Sequence, residues 1–334
     1  MLEHGGNLGA AISAYGLDRA DWLDLSTGVN PRSYPSAPID ADIWHRLPER
    51  SPQLHDAACR YYGVSHLLAV AGSQAAIQAL PRLRAHSRVS VAAPVYAEHA
   101  YRWRQAGHET REVAYAQLGA AVADSDVVVV CNPNNPTGAM VDAQTLLGWA
   151  AQLTARGGWL VVDEAFIDVD AEQSVACHAA GQPGLIVLRS LGKFFGLAGL
   201  RMGFVVAEAP LLQRLDDEIG PWGVTTAAQR IAGAALADEH WQRQTRTRLQ
   251  EDGRRLRALL GEHAIDSRGS ALFQWWQDAR ADQFAHYMAH RAIWVRKFDQ
   301  RVGSDLPSIR LGLPPDESGW SRLRQALGDW NVSA

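Results

Sequence analysis

Residues 126–131 read Asp-Val-Val-Val-Val-Cys, and the run ends in Asn132-Pro-Asn-Asn135-Pro136-Thr137-Gly138. Four valines without polar alternation fit a strand that is covered on both faces. Such strands belong to parallel sheets flanked by helices, so this short run restricts the chain to an α/β architecture. Its surroundings agree. Residues 88–93 (RVSVAA) read as a strand stopped by Pro94, and strands are also expected at 159–163, 185–188 and 203–206. Ser73 opens a helical pattern over 73–84. Another begins near Asp142, with Leu146, Leu147, Trp149, Ala150 and Leu153 on its apolar stripe. This alternation predicts a mostly parallel sheet with helices on its faces.

The 334 residues exceed one typical domain of roughly 100–200. The texture divides the chain into three. Residues 1–45 are irregular, rich in Gly, Pro and Ser, and read as an arm. Residues 46–225 carry the alternating pattern and form the large domain. Residues 226–334 read as a smaller α+β domain: one long helical stretch over 227–261, short strands near 271–275, 292–297 and 308–312, and amphipathic helices near 281–290 and 317–328.

Charge and cysteine content exclude several classes. With 32 Lys and Arg against 36 Asp and Glu, no general basic excess attracts nucleic acid or an anionic membrane. An anionic ligand must be met by local cations or backbone N–H groups. Cys59, Cys131 and Cys177 form no CxxC pair and no disulfide framework, which fits a reducing compartment. The first residues lack the basic flank and apolar run of a signal peptide, and no stretch approaches the ~18 apolar residues of a membrane span. A soluble, cytoplasmic protein is expected.

Four pieces of the middle region carry chemistry. Ser190-Leu-Gly-Lys193-Phe-Phe-Gly-Leu-Ala-Gly-Leu-Arg201 puts a lysine just after a buried strand. Burying an ammonium is costly, so a lysine there suits a low-pKa amine that forms an imine, with Ser190 and Arg201 beside it for a phosphate. A surface lysine in a glycine-rich loop is the plainer alternative. The Asn132–Gly138 segment follows the carboxyl end of a strand, where open α/β sheets bind ligands, though Asn, Pro and Gly also simply make turns. Asp163-Glu-Ala-Phe166 puts a carboxylate at another strand end, suited to a protonated ring nitrogen, or to a helix cap. Gly72-Ser73-Gln74 opens a helix whose N–H groups suit an anion, or whose serine only caps it.

In this order the pieces resemble the aminotransferase-like pyridoxal-phosphate enzymes of fold type I, over roughly the whole chain. The resemblance implies pyridoxal 5′-phosphate as cofactor and the large domain as its seat. Lys193 would hold it as a Schiff base, and Asp163 would pair with the pyridinium nitrogen. Asn135 would donate to the phenolic oxygen and Tyr96 would stack on the ring. Gly72, Ser73, Gln74, Ser190 and Arg201 would take the phosphate. Arg310, in Ser308-Ile-Arg-Leu-Gly, matches the arginine that grips the substrate carboxylate. The family also implies a homodimer.

Within that family the chain is similar to two branches that act on phosphorylated amines. One decarboxylates L-threonine O-3-phosphate to (R)-1-amino-2-propanol O-2-phosphate in cobalamin biosynthesis, and the other is histidinol-phosphate aminotransferase. The arm's His4-Gly5-Gly6-Asn7 and the segment Leu23-Asp-Leu-Ser26-Thr-Gly-Val-Asn30-Pro31 resemble the decarboxylases, as does Phe166 where transaminases carry Tyr. His4, Gly5, Asn30, Arg296 and Arg310 are therefore the expected substrate-binding residues, with Arg296 and His4 for the substrate phosphate. An edge-strand surface charge is the alternative for Arg296. Leu47-Pro-Glu49 stands where relatives carry Tyr-Pro-Asp. That change leaves the tyrosine's contact across the dimer to the cofactor phosphate in doubt.

The sequence speaks against two further classes. A cofactor-binding transcription regulator would need a basic DNA-binding segment, which this sequence lacks. A metal enzyme is suggested only by His286 and His290, four apart on a helix without the Glu of HExxH or a third ligand, so no metal site is expected.

Overall fold

The computed structural model describes residues 5–333. The chain forms two compact units. One is made of Ser33–Asn135 and Ala139–Arg246; the other joins the chain up to Arg32, the short Pro136–Gly138 and the chain from Thr247 onward. The sequence texture put boundaries at 45 and 225, whereas the units divide at 32 and 246. Helices pull the divisions there: Thr226–Ala237 packs on Pro52–Tyr62 in the first unit. Among the described residues no helix is long and apolar enough to cross a membrane.

The first unit is built on a seven-stranded sheet. In spatial order its strands are Leu68–Val70, Gly203–Val206, Leu185–Ser190, Trp159–Asp163, Val127–Cys131, Arg88–Ala93 and Glu109–Ala114. Gly203–Val206 runs antiparallel to both its neighbours, Leu68–Val70 and Leu185–Ser190, and the remaining pairings are parallel. The valine run is buried along its whole length, as a strand covered on both faces requires. Val127 and Val129, Trp159 and Val161, and Ile186 and Leu188 share one cluster with Ala76, Ile77, Leu80, Trp103 and Leu211 from the covering helices.

The pattern over 73–84 becomes an α-helix, Ser73–Ala79, that tightens into a 3-10 turn, Leu80–Leu83. Pro81 has no N–H to continue the α-helical ladder. The stretch over 227–261 is two helices, Thr226–Ala237 and Glu239–Glu262. Asp238 leaves the helical conformation, and its carboxylate accepts from Trp241 N at 3.0 Å, capping the second helix.

The second unit carries a four-stranded antiparallel sheet in the order Arg296–Phe298, Ser308–Gly312, Phe273–Gln277, Arg268–Ser270. The arm is more regular than its composition suggested. Asn7 caps a helix, Leu8–Tyr15, whose Ala11 packs with Trp22, Ala289 and Ala292. Leu23–Asp24 is a short strand parallel to Ile293–Trp294. The chain then passes between two partners: Leu25 N donates to Trp294 O and Gly312 N donates to Leu25 O, both at 2.8 Å.

Candidate active site

Three adjacent parallel strands of the first unit end side by side. Cys131 is in register with Asp163, and Asp163 with Leu188, so the segments after them leave from one edge of the sheet. This edge collects Asn132–Asn135, Asp163–Phe166 and Ser190–Lys193.

Asp163 is buried there. One of its oxygens lies 2.9 Å from His99 Nε2 and 3.7 Å from Cys131 Sγ; the other accepts from Ala165 N at 3.1 Å. His99, Cys131 and Asp163 keep their polar atoms within 4.8 Å of one another. Tyr96, three residues before His99, meets its ring edge-on at 6.1 Å between centroids. The Tyr96 hydroxyl donates to Gln74 Oε1 at 3.1 Å, and Gln74 Nε2 donates to Glu98 Oε2 at 2.8 Å. Burial first, then the Glu98 and Asp163 charges, push the Tyr96 hydroxyl up to about 12, so it stays a neutral donor.

The asparagines after the valine run divide their work. Asn132 closes its own loop: Nδ2 donates to Val141 O at 2.9 Å, and Oδ1 accepts from Val141 N at 2.8 Å. Asn134 Nδ2 donates to Pro94 O at 2.9 Å. The two hold the frame from which Asn135 projects.

Lys193 is half-buried, with Nζ 5.4 Å from the centre of the Phe166 ring. Upstream in its strand, Arg189 is buried among carboxylates. Its Nη1 donates to Glu164 at 2.7 Å and its Nη2 to Asp168 at 2.5 Å. Burial works against the Arg189 charge, but Asp168 and Glu164 overcome it and hold its pKa above the ordinary range. Tyr61 OH donates to Asp168 at 3.0 Å, and Ser174 OH and Val175 N to Glu164 at 2.5 and 2.8 Å. These bonds fix the loops carrying Phe166 and Lys193 to one another.

Gly72, Ser190 and Arg201 form a cradle. Gly72 has φ +70°, and a Cβ there would lie 2.6 Å from an Arg201 guanidinium nitrogen. Only glycine lets the backbone at the start of the Ser73–Ala79 helix come so close to that cation. The Ser190 hydroxyl accepts from Gly192 N at 3.2 Å. N–H groups, hydroxyls and a guanidinium around a Cβ-free hollow fit a phosphate. A buried carboxylate, an amine and an aromatic ring at the same sheet edge fit a charged aromatic cofactor such as pyridoxal phosphate.

In the second unit, Arg296 and Arg310 are paired directly across two antiparallel strands. Residues so paired point to the same face, and like charges there repel. Both guanidinium groups lie over the Phe298 ring, at 5.0 and 5.8 Å. Arg310 is buried; burial and then the Arg296 charge lower its pKa, while Asp24 works the other way. Nη2 of Arg310 donates to Ser26 O at 2.7 Å. Asn30 is buried too, its Oδ1 accepting from Arg32 N at 3.0 Å and Arg248 Nη2 at 3.4 Å.

Gly72, Ser73, Gln74, Tyr96, Asn135, Asp163, Ser190, Lys193 and Arg201 thus fall in the first unit, and Gly5, Asn30, Arg296 and Arg310 in the second. His4 lies outside the described residues. The sequence reading missed His99 and the Arg189 network.

Residues 40–316 match the aminotransferase class I and II family, and the chain belongs to that family. It is 50% identical over 328 residues to the threonine-phosphate decarboxylase of Pseudomonas aeruginosa, covering 98% of this chain and 97% of that protein. A threonine-phosphate decarboxylase of a Sinorhizobium species is 40% identical over 333 residues, with 98% and 97% covered. Among solved structures, histidinol-phosphate aminotransferase from Sinorhizobium meliloti in complex with pyridoxal-5′-phosphate superposes with a TM-score of 0.81. The identity is 22%, and 99% of this chain and 96% of that one are covered, a likeness of fold. The fold is that of the type I pyridoxal-phosphate enzymes.

Proposed function

We propose that this chain is a pyridoxal-phosphate-dependent carboxy-lyase. It decarboxylates L-threonine O-3-phosphate to (R)-1-amino-2-propanol O-2-phosphate, a step of cobalamin biosynthesis, and works as a cytoplasmic homodimer. The nearly full-length likeness to two threonine-phosphate decarboxylases supports the substrate. In the structure, the observation that carries the reading is the Arg296–Arg310 pair, two cations on one face for a substrate with two anionic groups.

When bound, pyridoxal 5′-phosphate supplies an electron sink for the pair left behind when the bond from Cα to the carboxylate breaks. Lys193 Nζ would be the amine that holds the cofactor's carbonyl carbon, and the same amine could pass a proton to Cα. Asp163 would pair with the ring nitrogen, and His99 Nε2, 2.9 Å from its carboxyl group, keeps it aimed. Tyr96 stacks on the ring. Asn135 donates to the phenolic oxygen without the hydroxyl that a tyrosine at 166 would add. Gly72, Ser73, Gln74, Ser190 and Arg201 hold the cofactor phosphate. Arg310 grips the substrate carboxylate, while Arg296 and His4 take its phosphate, with Gly5 and Asn30 lining the same pocket. Held by both of its anionic groups, the substrate keeps few orientations.

The test is carbon dioxide release from L-threonine O-3-phosphate by cofactor-loaded protein. Release by the parent and none by Lys193→Ala is expected. Amino transfer from histidinol phosphate to 2-oxoglutarate, with no release of carbon dioxide, would replace this reading with the aminotransferase one.

A further inference from the structure

The segment Asp24-Leu-Ser26 leads out of the short strand that pairs with Ile293–Trp294. Ser26 is buried, and every polar atom it owns is engaged. Its hydroxyl donates to Asp24 Oδ1 at 2.6 Å, and its backbone N–H donates to the same oxygen at 2.9 Å. A hydroxyl has one proton, here committed to Asp24, so its lone pairs are left to accept. One of them accepts from Gly6 N at 2.9 Å. The Ser26 carbonyl, meanwhile, accepts from Arg310 Nη2 at 2.7 Å. One residue therefore holds the arm by its side chain and Arg310 by its main chain.

We infer that Asp24 and Ser26 are positioning residues, a clasp that fixes the Gly5–Gly6 backbone beside the Arg310 guanidinium and so sets the grip on the substrate carboxylate. The inference rests on Arg310 being that grip. Close approach supports it: a Cβ on Gly5 would lie 2.6 Å from Ser26 O and 3.5 Å from Arg310 Nη2, so no other residue fits between them. The strand Leu23–Asp24 is itself held to Ile293–Trp294, which gives the clasp a firm base. The arm is fastened again further along, where the Tyr15 hydroxyl lies 2.9 Å from His286 Nδ1. Asp24 also favours the charged form of Arg310 against burial and Arg296. With the arm in place, the guanidinium has one orientation and less water around it, and both strengthen a charge-assisted bond to a carboxylate.

Ser26→Ala removes the acceptor for Gly6 N. Gly5→Ala leaves the acceptor and drives the arm away by bulk. In cofactor-loaded enzyme each is expected to raise KM for L-threonine O-3-phosphate roughly tenfold, the effect of one buried hydrogen bond lost. Changes in kcat should stay within about twofold, because the cofactor residues are untouched. Deuterium uptake by the arm, residues 5–15, should rise in both variants. The double variant should be no worse than the weaker-binding single one, since both break one contact. Unchanged uptake in Ser26→Ala overturns the clasp whatever the enzyme's activity. Raised uptake with an unchanged KM overturns its role in the grip, and so does a double variant whose losses multiply. A parent enzyme that releases no carbon dioxide from this substrate would instead overturn the functional reading, and the uptake result would still judge the clasp.

Discussion

The two units treat buried arginine in opposite ways. Arg189, in the parallel-sheet unit, has a carboxylate for each of its donating Nη atoms, and those carboxylates have further donors of their own. Arg310, in the antiparallel-sheet unit, faces another arginine across the strands, and Asp24 is the carboxylate that offsets it. The first arrangement pairs its cation twice within the fold and makes a rigid seat. The second sets two like charges on one face, where an anionic group would be drawn. A site that positions a permanent cofactor gains from the first, and a site that must admit and release a substrate gains from the second.

Substituting the arginines separates the two most sharply. Arg189→Leu leaves Glu164 and Asp168 buried without their cation, so the protein should lose about 3–5 kcal/mol of stability. Urea unfolding of the cofactor-free protein measures this, and a loss below about 1 kcal/mol would show that Arg189 is not the anchor. Arg296→Gln should do the reverse. Removing one of two opposed like charges leaves stability equal or slightly higher, while KM rises roughly 10- to 100-fold for want of a charge-assisted bond to phosphate. A clear fall in stability there, with KM unchanged, would make Arg296 a structural residue.

Smaller effects sharpen the contrast. Inorganic phosphate at about ten times its Kd should raise the unfolding free energy of cofactor-loaded enzyme by about 1.4 kcal/mol. The gain should vanish in Arg296→Gln; persistence would place the anion elsewhere. The smallest change is expected from Phe166→Tyr. Phe166 cannot donate to the phenolic oxygen, and a hydroxyl there would compete with the Schiff-base proton for it. The spectral pKa of the bound cofactor should therefore fall by about half a unit. Identical titrations of the two proteins would remove that role from position 166.

The seat of the cofactor was more legible in the sequence than its supports. The valine run and Trp159–Asp163 announce buried strands because nothing polar interrupts them. Lys193 and Asn135 stand out because such residues are unusual at strand ends. Glu164, Asp168 and Arg189 look like ordinary surface charges until the fold brings each carboxylate within 2.7 Å of Arg189. Glu109–Ala114 escaped notice because an edge strand meets water and keeps polar side chains. The arm misled by composition: Gly, Ala and Ser suggest a loop, yet Asn7 caps a helix that Ala11 and the nearby tryptophans bury. Likewise Asp238 reads as one more polar residue in a helical stretch, and only its capping bond to Trp241 marks the break.

The hydrogen bond from Arg310 to Ser26 joins residues 284 positions apart. During synthesis, the valine strand and its two parallel neighbours, Trp159–Asp163 and Leu185–Ser190, can pair once about two hundred residues have left the ribosome. Asp24 and Ser26 emerge early but must wait for Ile293–Trp294 and Arg310 before they have anything to hold. A chain cut short before residue 293 would carry Lys193, Gly72 and Arg201 and yet lack Arg310, the proposed grip on a substrate carboxylate. The order of translation thus keeps cofactor chemistry and substrate capture apart until the last strands arrive.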